Sequence, residues 1–171
     1  MSTPDAARLF DQHHLAVFRF LRRMTGSLSL AEDLTQEVFL RVVRGIGSYQ
    51  ERSREISWIF RIARNVLADR HRSQARTPVD APVHDAAALA RPAVQALAIA
   101  LDQALSRLPD EEREAFLMRE VGGLGYREIA EASGATPDAA RMRIYRARLA
   151  LRQALGPSRS VAAVNPREVS K

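Results

Sequence analysis

Apolar residues along the chain recur every three or four positions, and alternation of apolar with polar residues is nowhere sustained, so the pattern predicts an all-α protein. A first helix is expected from about Pro4 to Met24, with a line through Leu9, Ala16, Val17, Phe20 and Met24 facing inward, Pro in its first turn and Gly26 beyond its end. A second is expected from about Leu30 to Arg44, with Ser29 and Glu32 as a capping box and Gly45 as its stop. The stretch "GIGSYQERSRE" reads as a loop or short turn. A third helix, about Glu55 to Ser73, carries a wide aliphatic stripe of Ile56, Ile59, Phe60, Ala63, Val66 and Leu67.

The texture then changes. "RTPVDAPVHDAAALARP" holds three prolines and no large apolar residue except Leu89, the signature of a flexible linker over residues 76–92. Helical periodicity returns from Ala93 to Arg107. "LPDEEREAFLMREV" then starts a helix with acidic residues in its first turns, where the helix dipole favours them. A short helix from Tyr126 to Ala132, a turn at Ser133 to Ala135 and a last helix from Pro137 to about Leu155 complete the pattern. The tail 156–171 reads as disordered. Two small helical domains are therefore expected, 1–75 and 93–155.

In the last helix, at about 100° per residue, Ala140, Ile144, Ala147, Leu151 and Leu155 fall on one narrow stripe that must be buried. Thr136 can cap the helix, and Pro137 suits its first turn. Asp138, Arg141, Met142, Tyr145 and Arg146 lie beside or opposite the stripe. A short helix, a turn with glycine and a second helix with a basic outer face form a helix-turn-helix, whose second helix enters the major groove. Arginine suits that place because its planar fork matches guanine edges and phosphates alike.

Charge strengthens this picture more through its distribution than through its total. The 171 residues carry a net charge of +6, but residues 57–76 hold five Arg and one Asp (+4), and residues 137–155 again five Arg and one Asp (+4). Between them, residues 77–136 hold five Arg against ten Asp and Glu (−5). Two focused basic stretches suit a polyanion such as a nucleic-acid backbone, although each taken alone is also compatible with a solvated helix face.

The third predicted helix sets Trp58, Arg61, Asn65, Asp69 and Arg72 away from its stripe. A Trp among Arg and Asn suits stacking and hydrogen bonding to unstacked bases. It also suits a second core seam next to Ile62, with Asn65 and Asp69 tying helix ends and loops together. On the second helix, Asp33, Glu37, Arg41 and Arg44 at three- and four-residue spacing make, by physics alone, a solvated face of ion pairs.

Composition removes several function classes. With 46% apolar residues the chain can form real cores, and with no cysteine it has neither disulfides nor thiolate chemistry. The pattern contains neither a long apolar run nor a signal peptide, so a cytoplasmic protein is expected. His13 and His14 are adjacent and diverge around a helix, and His71 and His84 stand apart, so no metal site is expected. "GGLG" lacks the strand and lysine of a phosphate loop. Neither an enzyme nor a cofactor is expected.

Three stretches in order, "AEDLTQEVFLRV", "SWIFRIARNVLADRHR", and "LPDEEREAFLMREVGGLGYREIAEASG" followed by "RMRIYRAR", closely resemble the extracytoplasmic-function group of bacterial sigma factors, the initiation subunits of RNA polymerase. The resemblance covers about residues 8–75, the family's region two, and about 99–155, its region four. It implies roles that the residues alone do not. Asp33, Gln36, Glu37 and Arg41 become expected contacts to core polymerase. Tyr49, Arg54, Trp58, Arg61, Arg64, Asn65, Asp69 and Arg72, with the loop from Tyr49 to Arg54, become expected contacts to the downstream promoter element and its displaced strand. Thr136, Arg141, Met142, Arg143, Tyr145 and Arg146 become expected contacts to the upstream element. The resemblance also implies that an anti-sigma partner could cover these surfaces.

The chain departs from the family's pattern at three places. Val43 stands where members often have Trp, Met142 where they have Ser or Gly, and Ala139 and Ala140 replace a common Thr-Val pair. Met142 cannot donate a hydrogen bond, though it can touch a thymine methyl. Two other readings compete: a dimeric helix-turn-helix regulator of duplex DNA that never enters polymerase, and a protein that docks only on other proteins. The first domain discriminates, since a simple regulator has no need of its second and third helices.

Overall fold

The computed structural model describes residues 5–49, 54–74 and 92–156. Among the described residues there are seven α-helices, a short 3-10 turn at Ile46–Ser48 and no strand. The helices are α1 (Ala6–Thr25), α2 (Leu28–Gly45), α3 (Glu55–Gln74), α4 (Pro92–Ser106), α5 (Asp110–Glu120), α6 (Tyr126–Ser133) and α7 (Pro137–Leu155). Pro4, the loop residues 50–53, most of the expected linker including His84, and the tail from residue 157 lie outside the described residues.

Local chemistry sets most of the boundaries. Asp5 accepts a hydrogen bond from the Ala7 amide at 3.1 Å and caps α1, whose other end closes on Gly26 in the left-handed region at φ 72°. That tight turn moves the start of α2. Ser27, not Ser29, is its cap and accepts from the Leu30 amide at 3.3 Å, so α2 begins about two residues earlier than the capping-box pattern indicated. Nor does Gly45 stop the chain's helical path: it ends α2, and the chain continues directly into the 3-10 turn.

The apolar stripes meet as expected. Val17, Phe20 and Leu21 of α1, Val38 and Val42 of α2, and Ile59, Phe60 and Ala63 of α3 are all sealed from solvent, with Phe20 and Phe60 packed edge to face at 5.2 Å. In the second half, Ala104, Leu105, Met118, Leu124, Ile129, Ala140, Ile144, Ala147 and Leu151 form the corresponding core. Leu155 is the exception on the α7 stripe. It is 38% exposed because it falls in the last turn, beyond the helices that cover the rest.

The two halves do not stand apart. Helix α6 lies against α3, α5 against α1, and the buried residues of both halves join into one apolar cluster.

Candidate nucleic-acid and polymerase interface

The clearest surface is on α7. Thr136 accepts from the Ala139 amide at 3.1 Å and starts the helix after a turn in which Gly134 takes φ 66°, a conformation that glycine adopts without strain. With Ala140, Ile144, Ala147 and Leu151 buried against the rest of the second half, Arg141, Met142, Tyr145 and Arg146 project into solvent; Tyr145 is 60% exposed and Met142 46%. Arg141 lies 5.4 Å from the centre of the Tyr126 ring on α6 and 3.7 Å from Asp138, both contacts that orient it along the face without burying it. Arg146 has no ion-pair partner among the described residues. Arg143 is different. Its guanidinium pairs with Glu111 of α5 at 2.6 Å and its side chain is only 22% exposed, so it points toward the protein. Arg148, farther along, pairs with Glu120 at 2.6 Å, which raises the guanidinium's pKa above its ordinary value.

The face of α3 is more heavily engaged. Arg61 and Asn65 are exposed. Trp58 is half-buried: its ring lies 4.9 Å from that of Tyr49 and presses on Gly45, where an added Cβ would stand 3.2 Å from Cζ2. Asp69 accepts from Arg41 of α2 at 2.8 Å and also from Arg72, and these two guanidiniums, Arg41 foremost, hold its carboxyl below the usual range. Arg64 donates to Glu114 of α5 at 3.0 Å, and the largely exposed Arg54 approaches Glu128 of α6 at 3.4 Å.

On α2, Asp33 and Gln36 are exposed, and Glu37 accepts from Arg41 at 2.7 Å. Arg41 thus joins two sites that the sequence treated separately: pairing with Glu37, then with Asp69, raises its pKa. Leu40 and Val43, 50% and 55% exposed, lie on the same side as Gln36 and were missed by the charge pattern. Their four- and seven-residue spacing from Gln36 was the available signal.

Glu114 was missed as well. Only 8% exposed, it sits beside Ala115, Leu117 and Met118 in the buried part of α5, and burial pushes its carboxyl up despite the pull of Arg64. An acidic residue on an apolar stripe was the sequence signal for it.

Known proteins show the same division of the chain. Residues 9–77 match the family description Sigma-70 region 2, and residues 98–151 match Sigma-70, region 4. The chain is 38% identical to the RNA polymerase sigma factor CarQ of Myxococcus xanthus over 86% of this chain and 87% of that one. It is 33% identical to the ECF RNA polymerase sigma factor SigM of Mycobacterium tuberculosis, over 87% of this chain and 76% of the other. Among solved structures, the sigma factor RpoE of Bartonella quintana, in complex with the anti-sigma factor NepR, shares the fold with a TM-score of 0.76 and 22% identity, over 90% of this chain and 98% of that one. Arranged as two helical halves, each with its matching region and the second ending in a helix-turn-helix with an exposed basic face, the chain belongs to the extracytoplasmic-function group of the sigma-70 family.

Proposed function

We propose that this sigma factor directs core RNA polymerase to promoters through three helical faces, each with its own task. The face of α2 docks on polymerase. Asp33, Gln36 and Glu37 supply charge and hydrogen bonds around an apolar centre formed by Leu40 and Val43, the arrangement expected of a protein interface with a polar rim. The face of α7 reads the upstream element in the major groove through Arg141, Met142, Tyr145 and Arg146, while Arg143, held toward Glu111, contributes charge more than contact. The face of α3, through Arg61, Asn65, Arg72 and the residues from Tyr49 to Arg54, captures bases of the displaced strand. Opening of the duplex then comes from stabilising unpaired bases, without nucleotide hydrolysis, as for a non-catalytic subunit in the cytoplasm.

The observation that carries this reading is the exposed α7 face behind a capped turn, in a chain whose other half presents α2 and α3. Each half alone binds DNA weakly, and tethering both to polymerase raises their effective concentration at the promoter. The same first half disfavours a stand-alone duplex-binding regulator. An anti-sigma protein is a further proposed partner, by analogy with the Bartonella quintana complex.

The test is transcription by purified core polymerase with and without this chain on a library of genomic fragments. Promoter-dependent transcripts are expected only with it. Their absence from every fragment would overturn the reading.

A further inference from the structure

Two arginines of the second half stand over the same aromatic ring. The centre of the Tyr126 ring lies 5.3 Å from the guanidinium carbon of Arg119 on α5 and 5.4 Å from that of Arg141 on α7. Tyr126 is the first residue of α6, and that end of the helix is firmly built. The Gly125 amide donates to the Glu128 carboxylate at 2.6 Å, and the Ile129 amide donates to the Gly125 carbonyl at 2.9 Å. The Arg119 guanidinium also donates to the Leu124 carbonyl at 2.9 Å, so α5 holds the turn and the ring together. The ring is half-buried and packs on the apolar core. It is a fixed platform at the edge of the α7 face, and Arg141 of that face stands on it.

We propose that Tyr126 is a positioning residue for upstream recognition: its ring sets the direction of the Arg141 guanidinium in advance and so sharpens the choice of the base that Arg141 reads. The inference rests on the reading of α7 as the upstream-element face.

An arginine side chain loses rotamer freedom when it is fixed on a base edge. On the matched base that loss is incurred in full, whereas on a mismatched base the side chain stays mobile. A ring that has already restricted the side chain therefore favours the matched base over the others, and it raises discrimination more than general affinity. The contact also leaves the guanidinium fork available. A guanidinium can rest its face on an aromatic ring while its in-plane N–H groups point outward. The Arg141 side chain is 62% exposed, and its 3.7 Å approach to Asp138 is longer than a hydrogen bond, so these groups stay open to an incoming acceptor. Arg146, farther along α7, has neither an ion-pair partner nor a ring beneath it among the described residues. It is the internal comparison.

The probe is the genomic fragment that gives the most transcript with this chain, with its upstream half randomised. Holoenzyme assembled from core polymerase and the full chain selects from that pool, and sequencing the bound fraction against the input gives the preference at each position. Arg141→Ala and Arg146→Ala mark which positions each arginine reads. Tyr126→Leu is expected to lower the preference at the Arg141 positions about threefold, the worth of one exposed cation–π contact, and to leave the Arg146 positions as in the parent. Tyr126→Phe keeps the ring, removes the hydroxyl and is expected to match the parent at both. In an Arg141→Ala background, Tyr126→Leu is expected to change nothing further, because the two residues act as one unit.

A measurement on the unaltered protein guards against a folding defect in Tyr126→Leu. In nuclear magnetic resonance spectra of the full chain, the Arg141 side-chain protons are identified by their loss in Arg141→Ala. They are expected upfield of the ordinary arginine position, because they lie over the ring. An ordinary position in the parent, an unchanged Arg141 preference in Tyr126→Leu, an equal loss at the Arg146 positions, or a further loss in the Arg141→Ala background would each overturn the proposal. So would a loss in Tyr126→Phe, which would assign the hydroxyl a direct contact to DNA instead. The reading of α7 fails separately if Arg141→Ala leaves every preference unchanged while the Arg141 protons are shifted as expected.

Discussion

The basic stretches 57–76 and 137–155, which hold most of α3 and all of α7, carry the same charge, five arginines against one aspartate in each, yet the two helices present it differently. On α7 the proposed reading face is open: Arg141, Met142, Tyr145 and Arg146 are exposed, and Arg146 has no ion-pair partner among the described residues. On α3 much of the face is already engaged by protein, with Trp58 packed on Tyr49, Asp69 held by Arg41 and Arg72, and Arg64 held by Glu114. Charge in a sequence is therefore not charge available to a ligand. What separates the two kinds of arginine is angular distance from the buried stripe. Arg64 and Arg143 each lie about 40° from their nearest buried apolar residue, whereas Arg61, Arg141 and Arg146 lie about 60° or more away. Both arginines at the edge are met by carboxylates of α5, Glu114 and Glu111.

The largest expected effect tests the packing beneath the two faces. Phe60→Ala, at the residue that packs on Phe20 and also reaches Gly122, is expected to cost about 3–5 kcal/mol in urea unfolding. Ile144→Val under α7, which belongs to the second half alone, is expected to cost about 0.5–1.5 kcal/mol. A loss for Phe60→Ala no larger than that for Ile144→Val would mean that the Phe60 ring is not tightly packed.

Next comes the difference between open and engaged arginines. Arg141→Ala and Arg146→Ala are each expected to weaken upstream-element binding by about 1–3 kcal/mol at fixed salt, with polymerase binding intact. Arg143→Ala is expected to cost less than either, because its fork is turned to Glu111. A ranking with Arg143 first would break the angular rule. On α2, Asp33→Arg together with Glu37→Arg is expected to reduce polymerase affinity roughly tenfold through like-charge juxtaposition. A parent-like pull-down would remove these two residues from the docking face.

The smallest effects concern pH, and the two carboxylates differ in sign. Arg41, then Arg72, hold the Asp69 carboxyl below its ordinary range. Its contribution to stability is present above the unfolded pKa and lost as pH falls through the folded one. Burial holds Glu114 above its ordinary range, so its contribution is present below the unfolded pKa and lost as pH rises through the folded one. Thermal midpoints across pH are expected to lose part of their acid-side decline in Asp69→Asn and part of the opposing decline in Glu114→Gln. The same change in both variants would contradict the two assignments.

Much of this molecule was legible in the residues. The seven helices follow from periodicity, and the buried set of α7 follows from 100° arithmetic except at Leu155, where the covering helices end. The start of α2 was harder, because "GSLSL" offers two serines and only the backbone turn at Gly26 selects Ser27. Of the site, the α7 face could be read because it depends on one helix and one stripe. The α3 face could not, because its occupancy depends on α2, α5 and α6, distant in sequence and adjacent in space.

The sequence by itself determined the helices, the two basic stretches, the helix-turn-helix and the family, since each rests on local periodicity, capping or motif order. Only the tertiary structure decided that Arg41 ties α2 to Asp69, that Arg64 faces Glu114, and that Phe60 seats on Gly122. Those pairings depend on which helix faces pack together. A periodic pattern tells which side of a helix is buried, but not which helix covers it or which charges lie at the edge of the contact.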